Sequence, residues 1–458
     1  MSRRRKHAIV CASSILATAR FPDLRLHHRA VAFLGQKLGR PRDSIPQGAP
    51  SPAAAKAAYR FVENPRVSAP MLWDPIHDYG GSGLKGLRLV LSVQDTTALM
   101  FPTLEATTGL GTMSHKKQEA LVMHSALGVR PDGHVVGLLH NEVWARPVEE
   151  FGKAASRKTR SINDKESAKW LRGIDRVSQL RERLAPHTQL LHVFDREGDI
   201  HEVFQEIADR GHEAVIRHSV DRNVDGGHET SRRTVAAQPV LERLKIVVPR
   251  KKGQPKRTAK VVVRSAEVTL RPPSKHRERR PVTLGLVWVH EPRAPKGVEA
   301  LDWMLWTTLR VRTAQQCKRV VKYYKLRWRI EDFHKVLKSG CKIEHTQLKT
   351  AARIEVLLAL SCAVAVFLLQ LTHWARTEPD APCTLVLSDD QWRVLWEYTH
   401  KQGVPPGQCA PTMREAVRMI GRLGGHLGRK CDGMPGTKTL WLGWRDLQLL
   451  VEYAQIRT

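Results

Sequence analysis

The sequence predicts an α/β protein: a sheet-based core, interrupted by a β-rich insertion and flanked by helical regions at both ends. Three observations predict it. The runs "LRLVLSVQ" (87–94), "LVMHSALGVR" (121–130) and "HVVGLLHNEVW" (134–144) are apolar-rich or alternating, and a helix, a strand, a helix and a strand follow them. Residues 220 to about 300 are rich in Pro, Arg and Lys with strand-like runs between. Residues 21–80 and those from about 375 onward carry helical spacing instead. Three successive strands followed by alternating helix and strand is the order of a ribonuclease-H-like core.

Each element has a local reason. "PDLRLHHRAVAFLGQKLG" repeats apolar residues at helical intervals, and "SPAAAKAAYRFVEN" begins with Ser51 and Pro52 placed as N-cap and first helical residue. In the core, "NDKESAKWLRGIDRVSQLRERL" is an amphipathic helix with an Asn/Asp start and "LLHVFD" a short buried strand. "DIHEVFQEIADRG" is a helix ending at Gly211, and "EAVIRHS" is the next strand. The segment 220–300 reads as a β-hairpin insertion with basic loops ("PRKKGQPKRTAK", "RPPSKHRERRP"). Val356–Leu369, "VLLALSCAVAVFLL", is a buried helix, too short an apolar run to span a bilayer. The boundaries drawn are 1–75 for a helical domain, 76–374 for the core with its insertion, and 375–458 for a helical C-terminal region.

Charge narrows the partners. The 458 residues hold 75 Lys and Arg against 45 Asp and Glu, a formal charge of +30. Because the cations are spread through segments that also hold core residues, the excess points to a polyanion such as DNA or RNA. Seven cysteines form no CxxC pair and no Cys/His zinc spacing, which fits reduced thiols in the cytoplasm. The start, "MSRRRKHAIVCASSILATAR", imitates a signal peptide, but Cys11, Ser13 and Ser14 thin its apolar part, so no export is expected.

One stretch concentrates chemistry. "YYKLRWRIEDFHKVLKSG" (323–340) projects as one helix at 100° per residue. Tyr324, Arg327, Glu331, Lys335 and Lys338 then share one outward band about 80° wide. Leu326, Ile330, Phe333, Val336 and Leu337 lie opposite, as an apolar stripe facing a core. A carboxylate among phosphate-binding cations makes sense as a metal ligand beside a DNA backbone. Two aspartates complete the idea at strand ends, Asp95 in "LVLSVQDTT" and Asp195 in "LLHVFDREGD". Two strand-end aspartates and one helix glutamate can hold two divalent ions for phosphodiester chemistry, Mg²⁺ with Mn²⁺ as the alternative. Taken singly, such an Asp is more often a turn former and such a Glu a surface ion pair. Asp199 reads as a helix N-terminal residue stabilised by the dipole, and Glu142 as the partner of a nearby arginine.

These motifs resemble a known family. Tyr324-x2-Arg327-x3-Glu331-x6-Lys338, set in "RWRIEDFHK", is similar to the YREK signature of the IS-four family of DDE transposases. "VQDTT" resembles that family's first-aspartate motif and "DREGDIHEVFQ" its second, and "AYRFVENPRVS", "GLLHNEVWARP", "DKESAKW" and "RLGGHLGRK" extend the likeness over nearly the whole chain. The resemblance implies a bacterial, cytoplasmic cut-and-paste enzyme. It would act as a homodimer on paired terminal inverted repeats of double-stranded DNA, with a hairpin intermediate, and its C-terminal region would serve dimerisation.

Residue by residue, Asp95, Asp195 and Glu331 match the metal ligands, and Tyr324, Arg327 and Lys338 match groups gripping phosphates near the cut. Trp303 matches a tryptophan beside an extruded base, and Arg217 a phosphate-binding arginine; the lysine expected two residues later is Ser219 here. Asp23, Arg25, Arg29 and Arg60 fit an end-contacting helical module, although Pro22-Asp23 replaces the family's Gly-Asp and residues 1–20 match poorly. A structure-selective nuclease that never joins strands, and a non-catalytic DNA-binding inhibitor derived from a transposase, are the competing readings.

Overall fold

The computed structural model describes residues 12–113, 119–147, 161–225, 230–248, 255–273, 279–429 and 432–457. The chain begins with a helical module: α1 (Leu24–Gly39), α2 (Pro52–Val62) and α3 (Pro70–Ser82). Asp23 caps α1 by accepting from the Arg25 and Leu26 amides at 2.7 and 3.2 Å, and Ser51 caps α2 through the Ala54 amide with Pro52 in the first turn. These are the groups a helix start leaves without partners. Phe61 of α2 sits between Phe21 and Phe33, ring centroids 5.9 and 6.4 Å apart, and fixes the module's core. The start of the chain joins it: Ala12 and Leu16 are fully buried in the main apolar cluster.

The drawn boundary at 75/76 falls inside α3, which runs on to Ser82 against the sheet. There Gly80 lies so close to the strand Val135–Trp144 that a Cβ would stand 2.2 Å from the Leu138 carbonyl oxygen. Only glycine permits that approach.

The core strands are β1 (Leu89–Met100), β2 (Glu119–Val129) and β3 (Val135–Trp144), then β4 (Gln189–Phe194) and β5 (Glu213–Arg217). Helix α4 (Ala168–Leu184) precedes β4, and α5 (His201–Asp209) links β4 to β5. The order in space is β3-β2-β1-β4-β5, with β1, β2 and β3 antiparallel and β1, β4 and β5 parallel. That is the expected ribonuclease-H-like arrangement. Helix α4 starts five residues later than its Asn/Asp signal implies, because Ile162–Asp164 form a separate 3-10 turn.

The insertion is more than a hairpin. It contributes β6 (Glu242–Val248), β7 (Arg257–Leu270) and β8 (Val282–His290), and β9 (Asp302–Thr307) pairs with both β8 and β5. The insertion therefore prolongs the core sheet, which has eleven strands among the described residues, instead of standing apart from it. Alternation alone cannot distinguish these outcomes, since an isolated hairpin and a sheet extension share the same period. Parts of both basic loops, 249–254 and 274–278, lie outside the described residues.

After β9 come α6 (Ala314–Lys325), α7 (Trp328–Lys335) and α8 (Ala351–Thr377), then α9 (Asp389–His400), α10 (Met413–Leu423) and α11 (Thr437–Arg457). Helix α8 is longer than its 14-residue apolar run and is long and apolar enough to cross a membrane, yet 83% of its most apolar window is buried within the fold. It is the central pillar on which α1, α3, α7, α10 and α11 pack. The boundary at 374/375 falls within it. The N-terminal module also meets the far end of the chain, where the Trp444 indole N–H donates to the Leu38 carbonyl at 2.9 Å and Arg40 pairs with Glu452.

Candidate active site

Parallel pairing sets the positions of the two aspartates. In the β1–β4 ladder Val93 stands opposite Val193. Because side chains alternate with a period of two, Asp95 and Asp195, two residues farther along each strand, emerge on that same face as neighbours. Asp195 directly follows β4 and caps the 3-10 turn Arg196–Gly198, accepting from the Glu197 amide at 2.8 Å. Asp95 departs from its expected place at a strand end: β1 continues to Met100, and Asp95 is still paired with Ser125 of β2. What ends at Val93 is the parallel ladder, so the carboxylate stands where the sheet splits.

The segment 323–340 is not the single helix its periodicity implies. The amides of Leu326 and Arg327 bond to carbonyls three residues back, Tyr323 and Tyr324, both at 3.0 Å, and this tight turn separates α6 from α7. At the other end Val336–Gly340 widen into a π turn closed by the Cys341 amide on the Val336 carbonyl at 2.8 Å. Turns of this kind recur at functional sites. Ile330, Phe333, Val336 and Leu337 are buried as expected, whereas Leu326 is half-buried.

The charged band is redistributed accordingly. Tyr324 is buried instead of facing outward, with 6% of its surface exposed. Its ring meets Trp303 of β9 edge-on, centroids 5.4 Å apart, and lies 5.9 Å from the Arg217 guanidinium. Trp303 is half-buried, and Arg217, the last residue of β5, also donates to the Asp302 carbonyl. Lys335 is exposed. Lys338 reaches β1: its Nζ donates to the Ala98 carbonyl at 2.6 Å and stands 3.8 Å from Glu344, whose carboxylate accepts from the Met100 amide at 2.9 Å.

Arg327 ties the acidic groups together. One of its terminal nitrogens is 3.5 Å from Asp95 Oδ2, and the other donates to Glu331 Oε1. Burial pushes Asp95 up to about 7, and the negative charges of Asp195 and Glu331 add to that rise against the pull of the Thr96 amide and Arg327. Asp195 is also raised, chiefly by burial, against the pull of the Glu197 amide; the Glu197 charge opposes ionisation and Arg327 and Lys169 favour it. Such crowding of buried carboxylates is what a bound cation would relieve.

Among the described residues, however, no three His, Cys, Asp or Glu side chains stand close enough to hold a metal ion. The three expected carboxylates therefore lie near one another without meeting as one ligand group. Asp95 and Asp195 are neighbours, and the guanidinium of Arg327 lies between Asp95 and Glu331. The donors themselves, all carboxylate oxygens, suit a hard divalent ion.

Two groups near the site escape a reading by motif. Trp328 is 43% exposed, and the Arg327 guanidinium lies 5.4 Å from its ring. On the helical projection it falls about 40° from Tyr324, just outside the charged band, so the band itself did not point to it. Lys169 of α4 is buried, with Nζ 3.1 Å from Glu197 and 3.6 Å from Glu166; its position in an amphipathic helix gives no hint of this.

Asp199 differs from its expected role at a helix start. It is buried and accepts from the Ser219 amide at 2.7 Å, the Ser219 hydroxyl at 3.0 Å and Arg222 at 2.8 Å, clamping the loop after β5. Glu142 pairs with Arg172, whose Nε donates at 2.9 Å. In the N-terminal module Arg25, Arg29 and Arg60 are exposed, while Asp23 serves as the cap of α1.

Comparison with known families gives three matches. Residues 11–67 match the transposase DNA-binding family, 168–367 the transposase DDE domain, and 363–458 the transposase Tn5 dimerisation domain. Residues 11–20, expected to match poorly, fall within the first match. Asp195 and Glu331 lie inside the DDE match, and Asp95 lies before it.

The raised value at Asp95 makes the stability of the fold depend on pH. Its folded value of about 7 lies above the ordinary 3.8, so the folded state gains from protonation. This group's cost is absent below about pH 4, grows as pH rises, and is complete above about pH 7. In EDTA, Asp95→Asn is expected to stabilise the fold at pH 8 by on the order of 2 kcal/mol and to change little at pH 4. Thermal unfolding at the two pH values checks this; an equal effect at both would refute the charged-state penalty.

Proposed function

Since the chain belongs to the Tn5-like DDE transposases of the IS-four family, we propose that it moves its element by cutting and pasting through a hairpin intermediate. The observation that carries the proposal is the register of β1 with β4, which makes Asp95 and Asp195 neighbours beneath Glu331 and Arg327. Asp95, Asp195 and Glu331 would hold two divalent ions, Mg²⁺ or Mn²⁺. When bound, such ions activate the attacking hydroxyl and stabilise the leaving oxygen of a phosphodiester.

The chain's other residues position the DNA. Arg25, Arg29 and Arg60 present exposed cations for the transposon end. Lys335, Lys338 and Arg327 line the helix beside the carboxylates, where they hold phosphates near the cut and contribute to salt-dependent affinity. Arg217 and Tyr324 form one cluster with Trp303. An indole there can hold a base extruded from the stack, which hairpin closure demands.

In this scheme water first breaks the bond at the transposon end and leaves a 3′-hydroxyl. That hydroxyl attacks the opposite strand to close a hairpin, a second water reopens it, and the freed 3′-hydroxyl joins target DNA. The protein works as a homodimer on paired ends in the bacterial cytoplasm. In support of the dimer, the last helix, α11, exposes Leu449, Tyr453 and Ile456 at intervals of four and three residues, along one side of the segment matching a dimerisation domain.

Two outcomes test the proposal. Asp195→Ala is expected to abolish both nicking and joining on a labelled duplex end while gel-shift binding of that end survives. Cleavage at the wild-type rate would sink the triad, and cleavage without joined product by the native protein would favour the nuclease. Trp303→Ala is expected to nick normally but to form hairpins about 5- to 150-fold more slowly, the scale of one lost stacking platform. An abasic position at the flipped base should restore much of that loss. Equal slowing of both steps would assign Trp303 to the packing around Tyr324 alone.

A further inference from the structure

We propose that Arg327 is a built-in counter-ion of the active-site carboxylates, a wedge that a divalent ion must displace in order to bind. The proposal rests on the metal-dependent reading above and adds a role for this chain's own arginine. Four observations carry it. The guanidinium spans Asp95 and Glu331, residues from a strand and a helix 236 positions apart in the chain. Its side chain is only 12% exposed, so these contacts are made largely out of water. Its Nε is buried and has no hydrogen-bond partner among the described residues. The carboxylates around it do not close into a three-ligand cluster.

Arginine suits this task because its planar fork can reach two carboxylates at once, whereas an ammonium offers a single point of charge. A carboxylate oxygen bonded to the guanidinium has its lone pairs engaged, so ion and arginine compete for the same atoms. The missing partner at Nε leaves this arrangement short of full satisfaction, and departure toward solvent gives up no bond there. Trp328, 43% exposed, has its ring 5.4 Å from the guanidinium, so solvent is near at hand.

Exchange has a functional consequence. Without an ion, one cation partly offsets three carboxylates and keeps the site compact. With an ion, Arg327 is freed beside the DNA path and can take a phosphate. Linkage makes the effect reciprocal: a phosphate that draws Arg327 away raises the site's affinity for the ion, and the ion raises the affinity of Arg327 for phosphate. The site would thus load its ions chiefly when DNA is present.

The test is Mn²⁺ binding by the full chain without DNA, followed by titration calorimetry. Arg327→Gln is expected to bind Mn²⁺ about tenfold more tightly than the native protein, the scale of one charge-assisted contact. Arg327→Lys, which keeps the charge but not the fork, should fall between them, and it carries the test if the Gln variant does not fold. Lys335→Gln removes a neighbouring cation that makes no such bridge, and should bind Mn²⁺ nearly as the native protein does.

Equal affinity in the native and both Arg327 variants, lost in Asp195→Ala, would overturn the wedge and leave the metal site standing. An equal gain in Lys335→Gln would also overturn it, reducing the effect to general charge. Absence of Mn²⁺ binding in every variant would overturn the wedge together with the metal reading.

Discussion

The site depends on the pairing of β1 with β4. Two strands from distant parts of the chain run parallel with Val93 opposite Val193, and this register alone decides that Asp95 and Asp195 project side by side. A slip of one residue would turn one carboxylate to the other face of the sheet. The register is held by burial: Leu91, Val93, Leu191 and Val193 are fully excluded from solvent in the main apolar cluster. The same cluster receives Ile330 and Phe333 from α7, which brings Glu331 and Arg327 over the aspartates. The long apolar helix α8 packs behind α7. Its hydrophobicity serves the rigidity of the site.

Charge works against this packing. Asp95 is pushed up to about 7 by burial and by its acidic neighbours, so the fold carries an electrostatic cost at the candidate site. Arg327 offsets part of that cost. Lys169 serves Asp195 and Glu197 in a similar way from α4. The chain's net charge of +30 acts over longer range and attracts polyanions such as DNA.

Much of this was legible in the sequence, for identifiable reasons. The strands β1 to β5 and their order followed from runs of alternating or continuous apolar residues, and the cap Ser51 stood where a helix start requires it, whereas Asp23, expected to contact DNA, caps α1 instead. The spacing of Tyr324, Arg327, Glu331 and Lys338 located the site helix. Periodicity could not show that the amides of Leu326 and Arg327 would bond three residues back, nor that Val336–Gly340 would widen into a π turn. Those local changes bury Tyr324 and aim Lys338 at the Ala98 carbonyl. Asp199 was misjudged for a related reason: its partners, Ser219 and Arg222, lie about twenty residues away and come together only through the β4–β5 packing. The extension of the sheet by β9 is likewise a long-range pairing that no local pattern encodes.

The central claim is that the strand-paired aspartates form the heart of a metal site opened by DNA. Anomalous diffraction from crystals of the protein with a transposon-end duplex and Mn²⁺ tests it most directly. The account predicts an anomalous peak in contact with the carboxylates of both Asp95 and Asp195, with the Arg327 guanidinium withdrawn from Asp95 and Glu331. A site without bound Mn²⁺ in the presence of DNA, or Mn²⁺ bound elsewhere while Arg327 still joins the two carboxylates, would contradict it.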